Sequence, residues 1–293
     1  MDTSLRGLHV PLITPFTRDG DLDPGALERL ARVAVEAGAA GLVALGTTGE
    51  PAALTTAERH TVLDVCARVC REYGTALIVG AGSNDTAGTV RALRDLATWP
   101  EVSAALTVVP YYTRPSQDGI VAHFARVAAD SPVPLIVYNV PYRTAATLSG
   151  QALRELAGLP GIAGVKHAVG GIDQDTVLLM ADLPADFAVL GGDDVFASPL
   201  LALGAAGAIL ASAHLRTAEF AALVAAWQTG QLARARELGG RLAPLSAALF
   251  AEPNPVVIKG VLYAQGKIPS PAVRLPLLPA RAATVHAAMS LLH

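Results

Sequence analysis

Cysteine is scarce in this sequence, since the chain of 293 residues contains only two. Cys66 and Cys70 stand four residues apart in a helical pattern and are therefore expected on one helix face. Two such thiols supply half of a four-ligand zinc site, and no further cysteine completes it. We expect both to be reduced and packed as small apolar side chains, with no metal bound.

Basic charge is also limited, with 22 Lys and Arg residues against 25 Asp and Glu and a formal net charge of -3. Without a basic patch or a run of like charges, the chain has no field that would attract nucleic acid or an anionic membrane. We therefore expect small-molecule partners. Residues 1–6 show neither the basic nor the apolar part of a secretory signal, so a cytoplasmic location is expected.

Long hydrophobic runs are missing as well. The most apolar stretch, residues 200–215, is interrupted by Gly204 and Gly207 and is rich in alanine, so we predict no membrane span. The hydrophobic content is nevertheless 52%, which is enough for one large core or two modest ones.

What the sequence does contain is a repeated order of short apolar runs and helical segments. Eight runs read as strands, at residues 7–12, 41–46, 76–82, 104–110, 134–141, 161–167, 188–194 and 207–212. Because they lack polar alternation, they are typical of parallel strands covered on both faces. Helical spacing lies between them, as at residues 24–38, 56–73, 86–98, 117–130 and 149–158. The pattern predicts an α/β fold, a (β/α)8 TIM barrel.

A doubly wound open sheet is the competing architecture, but no glycine-rich phosphate turn follows the first strand. After about residue 225 the strands stop, and residues 231–249, 255–265 and 277–292 read as three helices. We therefore predict a catalytic barrel at 1–225 and a C-terminal three-helix extension at 226–293.

Lys166 is the most informative single residue, because it ends an apolar strand. Burial penalises the charged ammonium, so such a lysine has a lowered pKa and can attack a carbonyl carbon to form a Schiff base. In a TIM barrel, catalytic groups come from the carboxyl ends of the strands. The other candidates at predicted strand ends are Thr47, Thr48, Tyr112, Tyr138, Arg143, Gly192 and Ile209.

Several motifs at these strand ends resemble one known family. They are Gly46-Thr47-Thr48-Gly49-Glu50, Pro110-Tyr111-Tyr112, Tyr138-Asn139-Val140-Pro141 with Arg143, Gly164-Val165-Lys166, Gly192-Asp193-Asp194 and Glu252-Pro253-Asn254-Pro255. Together they resemble the family of dihydrodipicolinate synthase and N-acetylneuraminate lyase, the pyruvate-dependent class I aldolases. The resemblance covers nearly the whole chain.

The resemblance implies that Lys166 condenses with the keto group of pyruvate and that the derived enamine attacks an aldehyde. The Thr47 and Thr48 segment is implied to bind the pyruvate carboxylate, and Tyr138 to shuttle protons through Thr47 to Tyr112 of a neighbouring subunit. No cofactor is implied. The family pattern also implies a homotetramer built as a dimer of dimers.

Arg143 favours one substrate, because the matching arginine of the synthases binds the carboxylate of aspartate semialdehyde. Gly192 and Ile209 are expected to complete the substrate-binding set. Two departures weaken this assignment of the substrate. His167 replaces the usual acidic residue after the lysine, and residues 144–146 replace the usual Thr-Gly. By strand alternation we expect His167 to pack behind the barrel wall.

Regulation is expected to differ as well. Thr56, Arg59 and Gly88 stand where lysine-sensitive members carry histidines and a glutamate, so we expect no inhibition by lysine.

Three other functions stay open. One is a different pyruvate-dependent aldolase or dehydratase, acting on 2-keto-3-deoxy sugar acids, hydroxy-oxoglutarate or sialic acid. A second is a magnesium-dependent aldolase with Asp193, Asp194 and Glu50 as ligands. A third is a metabolite-binding barrel without turnover, against which the complete set of Lys166, Tyr138 and Thr47 argues.

Overall fold

The computed structural model describes residues 5–184 and 186–292 and shows a closed barrel of eight parallel strands in chain order. This confirms the predicted (β/α)8 fold. The strands are β1 Gly7–Pro11, β2 Gly41–Ala44, β3 Ala76–Gly80, β4 Val102–Val108, β5 Leu135–Asn139, β6 Ile162–His167, β7 Ala188–Gly191 and β8 Gly207–Ile209. β8 pairs with β1, which closes the sheet without an open edge.

Helices alternate with the strands and then continue beyond them. They are α1 Pro24–Glu36, α2 Thr56–Tyr73, α3 Thr86–Asp95, α4 Gln117–Asp130, α5 Pro141–Thr144, α6 Gly150–Ala157, α7 Gln174–Ala181, α8 Ala197–Ala202, α9 Ala213–Gln228, α10 Leu232–Leu249, α11 Val256–Ala264 and α12 Ala282–Ser290. Local signals explain the starts of several. Thr55 and Glu58 form the capping box of α2, and Asp23 caps α1.

Several element boundaries differ from those that the sequence patterns predict. β2 ends at Ala44 because Leu45 adopts a positive φ of 53°, which turns the chain out of the sheet. The apolar pattern predicts the last helix from residue 277, but it begins at Ala282, because Pro279 disfavours the helical conformation of the residue before it. The predicted domain boundary at residue 225 stays a prediction, and in the structure that residue lies within α9.

Buried apolar side chains form three clusters. The largest lies between the strands and the surrounding helices, and includes Leu42, Leu77 and Val165. A second fills the barrel interior, where alternate strand residues such as Ile78 and Ile136 point inward. This alternation assigns opposite faces to neighbouring residues, and it decides which strand-end side chains reach the mouth.

The third cluster attaches the C-terminal extension. Leu245 and Leu249 of α10 and Val257 and Leu262 of α11 pack with Ile13, which follows β1. The extension therefore shares a core with the segments next to the barrel mouth. No helix among residues 5–184 and 186–292 is long and apolar enough to cross a membrane.

Candidate active site

Lys166 and Tyr138 lie side by side at the ends of two neighbouring strands. They are paired in the register of β6 and β5, and the Lys166 Nζ atom is 4.4 Å from the centre of the Tyr138 ring. Each residue is only 7% exposed. The amine therefore lies in a buried position, shielded from solvent, against the face of an aromatic ring.

This environment changes the protonation of the amine. Burial lowers the pKa of Lys166 to about 8, because the ammonium loses its hydration, although the nearby carboxylate of Asp194 acts in the opposite direction. A substantial fraction of the amine is thus neutral under mildly alkaline conditions. The neutral form is the one that attacks carbonyl carbon.

Gly192 provides space for the Lys166 side chain. A Cβ atom at residue 192 would lie 2.9 Å from Lys166 Cγ and 2.9 Å from the Ala168 Cβ. Real Cβ atoms do not approach neighbours that closely, so a larger residue would displace the lysine. Gly192 is predicted to bind substrate, and the structure adds this packing reason for a glycine.

The Tyr138 hydroxyl stays protonated at neutral pH. Burial raises the pKa of Tyr138 to about 12, while the guanidinium of Arg143 and a hydrogen bond with the Thr47 side chain act to lower it. The bond to Thr47 links β5 to the turn after β2. A phenol with a raised pKa is a poor base by itself, so it can move protons only through such a relay.

The turn after β2 is a short 3-10 helix, Thr47–Gly49. Thr14 donates a hydrogen bond of 2.7 Å to the Gly49 carbonyl, which fastens the turn to the segment after β1. Asn254 Nδ2 donates to Thr48 Oγ1 at 2.9 Å. The turn therefore has a fixed position at the mouth, as an anion-binding backbone requires.

Asp193 and Asp194 follow β7, and both accept backbone hydrogen bonds. Asp194 accepts from the Ser212 N–H and Asp193 from the Gly170 N–H, each at 2.6 Å. Burial raises the pKa of Asp194 to about 6. Glu50 does not join them as a third ligand, because its carboxylate binds Lys259. The arrangement expected for the magnesium alternative is not assembled.

Arg143 lies in the short helix α5, beside a cavity of about 460 Å³. Its guanidinium carbon is 5.2 Å from the centre of the Tyr142 ring. The cavity is lined by Tyr142, Arg143, Gly170, Asp193, Asp194, Val195, Phe196, Phe250, Ala251, Glu252, Pro253 and Asn254. The C-terminal extension thus supplies one wall of the entrance, a contribution that the strand pattern did not predict.

Tyr112 and Ile209 occupy contrasting positions. Ile209 is buried in the barrel interior, in the same cluster as Tyr138. The Tyr112 side chain is 88% exposed, its φ is 71°, and it makes no hydrogen bond within the described part of the chain. A bulky residue with positive φ is strained, and such strain concentrates at functional sites. One chain therefore does not bring Tyr112 into the Thr47 and Tyr138 relay.

His167 faces away from Lys166, behind the barrel wall, as strand alternation predicts. Its Nε2 atom is 2.8 Å from Thr176 Oγ1, and Asn139 Nδ2 is 3.5 Å from its Nδ1 atom. Burial lowers the pKa of His167, which favours the neutral ring.

An amine in a dry hollow beside a phenol, at the carboxyl ends of barrel strands, defines the class of TIM-barrel lyases that form a Schiff base with a carbonyl substrate. The sequence model of the dihydrodipicolinate synthetase family matches residues 4–293. The chain belongs to this family.

Individual relatives support the assignment. The 4-hydroxy-tetrahydrodipicolinate synthase of Salinibacter ruber is 41% identical over 279 residues, which cover 95% of this chain and 91% of the relative. Synthase 2 of Clostridium acetobutylicum, which carries the same enzyme name, is 37% identical and covers 94% of this chain and 95% of the relative. The crystal structure of a chloride-inhibited dihydrodipicolinate synthase from Acinetobacter baumannii, complexed with pyruvate, has a TM-score of 0.93 at 33% identity and covers 98% of both chains.

We expect lysine to leave the activity unchanged. Arg59, at one family position for lysine binding, donates to the carbonyls of Pro51 and Leu54. At Gly88, where lysine-sensitive members carry a glutamate, an added Cβ atom would lie 2.4 Å from Asp85 Oδ2. A glutamate therefore does not fit there unless Asp85 moves. Steady-state rates measured across a lysine titration should coincide. Saturable inhibition would contradict the prediction.

Proposed function

We propose that the protein condenses pyruvate with L-aspartate 4-semialdehyde to give 4-hydroxy-tetrahydrodipicolinate, the reaction for which the two curated relatives are named. The observation that carries the proposal is the Lys166 amine, buried beside Tyr138 with its pKa lowered to about 8. Such an amine is prepared for attack on a keto carbon. Pyruvate and a small aldehyde are the proposed partners.

The proposed reaction begins when the neutral Lys166 amine adds to the keto carbon of pyruvate and water leaves. The iminium withdraws electrons, so the methyl carbon loses a proton and an enamine forms. The enamine carbon bonds to the aldehyde carbon, and the new alkoxide takes up a proton. The amino group of the aspartate semialdehyde then displaces Lys166 from the imine carbon, which closes the ring and frees the enzyme.

The remaining residues are proposed to position the reactants. Donors of the Thr47 and Thr48 turn bind the pyruvate carboxylate, while Tyr138 exchanges protons with the reacting atoms through its bond to Thr47. Arg143 binds the carboxylate of the aldehyde substrate at the cavity. Its exposure suits an entrance residue that meets substrate arriving from solvent.

A panel of substrates tests the specificity. We expect product formation from pyruvate with aspartate semialdehyde, and no cleavage of 2-keto-3-deoxy sugar acids, hydroxy-oxoglutarate or N-acetylneuraminate. Turnover of one of these compounds, with no reaction of aspartate semialdehyde, would replace the proposed substrate and keep the Schiff base. His167 gives no support to such a change, because it bonds Asn139 and Thr176 behind the wall.

Arg143→Ala should selectively weaken the binding of the second substrate, aspartate semialdehyde. A hydrogen bond to a charged group contributes about 1.5–3 kcal/mol, so the KM for aspartate semialdehyde should rise by roughly 10- to 100-fold. The KM for pyruvate should change little, because the pyruvate carboxylate is assigned to the Thr47 turn. Initial rates with each substrate varied in turn measure both constants. An equal rise in both would contradict the role given to Arg143.

We also propose that the enzyme works as an assembly, with a homotetramer built from dimers as the expected form. The exposed and strained Tyr112 supports this, because the family resemblance implies that a neighbouring subunit brings this hydroxyl to Thr47. Sedimentation at assay concentrations tests the proposal.

A further inference from the structure

Glu50 ends the Thr47–Gly49 turn in an unusual conformation. It adopts a left-handed backbone, with φ 53° and ψ 43°, between that turn and the following 3-10 helix, Pro51–Ala53. A residue with a Cβ rarely occupies this region unless its surroundings hold it there. The Glu50 side chain is only 2% exposed, so the surroundings are protein and not water.

Two groups from the C-terminal extension hold the Glu50 carboxylate. Lys259 of α11 places its Nζ 2.5 Å from Glu50 Oε1, and the backbone N–H of Arg274 donates to Oε2 at 3.0 Å. The Lys259 side chain is fully buried. Its Nζ also donates to the Ala272 carbonyl at 2.8 Å. Both carboxylate oxygens and the ammonium are thus paired, as a buried ion pair requires.

An aromatic ring completes this anchor. The Phe16 ring lies 4.1 Å from the Lys259 Nζ and 4.4 Å from the Arg274 guanidinium carbon, measured to its centre. Cations near an aromatic face are stabilised by the ring. Arg274 is itself fixed by both oxygens of Glu58 at the start of α2. The anchor therefore joins the extension to the loop that follows β2.

We propose that Lys259 is a positioning residue for pyruvate: through Glu50 it sets the orientation of the Thr47 and Thr48 turn that receives the substrate carboxylate. This inference rests on the proposed function. Lys259 touches neither substrate nor reacting atoms, and acts through the turn. A charged residue from the extension, 209 positions away in sequence, thus controls a binding site on the barrel.

The test compares Lys259→Met and Glu50→Gln with the double variant. Each single change should raise the KM for pyruvate about tenfold or more and leave kcat within about threefold, because a binding contact is lost equally in the ground and transition states. Lys259→Met also leaves a buried carboxylate without its partner, so its melting temperature should fall. The double variant removes both charges and should recover melting temperature, yet keep the raised KM.

Leu262→Ala is the matched control. It lies in the same helix, in the apolar cluster of the extension, and opens a cavity that destabilises the protein without touching Glu50. We expect a lower melting temperature with an unchanged KM for pyruvate. If KM follows melting temperature across the variants, or returns to normal in the double variant, the positioning role is wrong. If Lys259→Met does not fold, the KM for pyruvate and the melting temperature of the double variant and of Leu262→Ala still test the positioning role.

The proposed function is tested separately on the unaltered protein. Borohydride reduction with pyruvate should attach a stable adduct to Lys166. If the unaltered protein gives no adduct, the proposed function fails. If it gives one and Lys259→Met reaches half-maximal adduct at the same pyruvate concentration, only the positioning role fails.

Discussion

Lys166→Met should abolish the reaction. The substitution keeps a side chain of similar length and removes only the amine, so neither the iminium nor the enamine can form. We expect activity to fall by at least about 10³-fold, because the other buried amine near the turn, that of Lys259, is bound to Glu50 and to the Ala272 carbonyl and does not replace the nucleophile. Borohydride with pyruvate, followed by peptide mass mapping, should find the adduct on the peptide of Lys166 in the unaltered protein and no adduct in the variant.

Stability provides the control for this variant. Burial of an ammonium is costly, so the methionine form should melt at the same temperature or higher. The pH dependence in the unaltered protein provides a second check. Since the neutral amine reacts and the pKa of Lys166 is lowered to about 8, the adduct should form faster as pH rises through about 8 and reach a plateau above it. A rate that still rises steeply near pH 10 would indicate a solvated lysine.

The barrel could be predicted from sequence because its strands obey a simple physical rule. Parallel strands covered on both faces must be apolar throughout, and eight such runs separated by helical spacing leave few other architectures. Strand alternation also placed Lys166 and His167 on opposite faces, and the structure has them so. The exact strand ends depend on backbone turns, such as the positive φ of Leu45, for which the apolar pattern gives no signal.

Contacts between distant segments could not be predicted in this way. Lys259 interrupts an apolar helix, Val256–Ala264, and a lone charge in such a helix does signal a buried partner. Nothing local identifies that partner as Glu50, which sequence reasoning had considered as a metal ligand. Asn254 stands in one of the family motifs, but its bond to Thr48 depends on how the extension folds back onto the mouth.

Tyr138→Phe should slow turnover by about 10²- to 10⁴-fold, the usual contribution of a positioned proton-transfer group. The substitution removes the hydroxyl and leaves the ring, so the packing in the barrel interior and the aromatic face beside Lys166 are retained. The amine stays in place, and the pyruvate adduct should still be trapped by borohydride, although more slowly. Single-turnover trapping and steady-state rates together measure the two effects.

Thr47→Val and the double variant test whether the two hydroxyls act as one relay. If Tyr138 passes protons through Thr47, each single change already interrupts the path, and the double variant should be little slower than Tyr138→Phe alone. Independent roles would instead give losses that multiply. Tyr73→Phe, at the end of α2, is the matched control. It removes an exposed hydroxyl that donates to Glu36 of α1, and it should keep full activity. Full activity of Tyr138→Phe would exclude the phenol from proton transfer and leave that task to water or to the substrate's own groups.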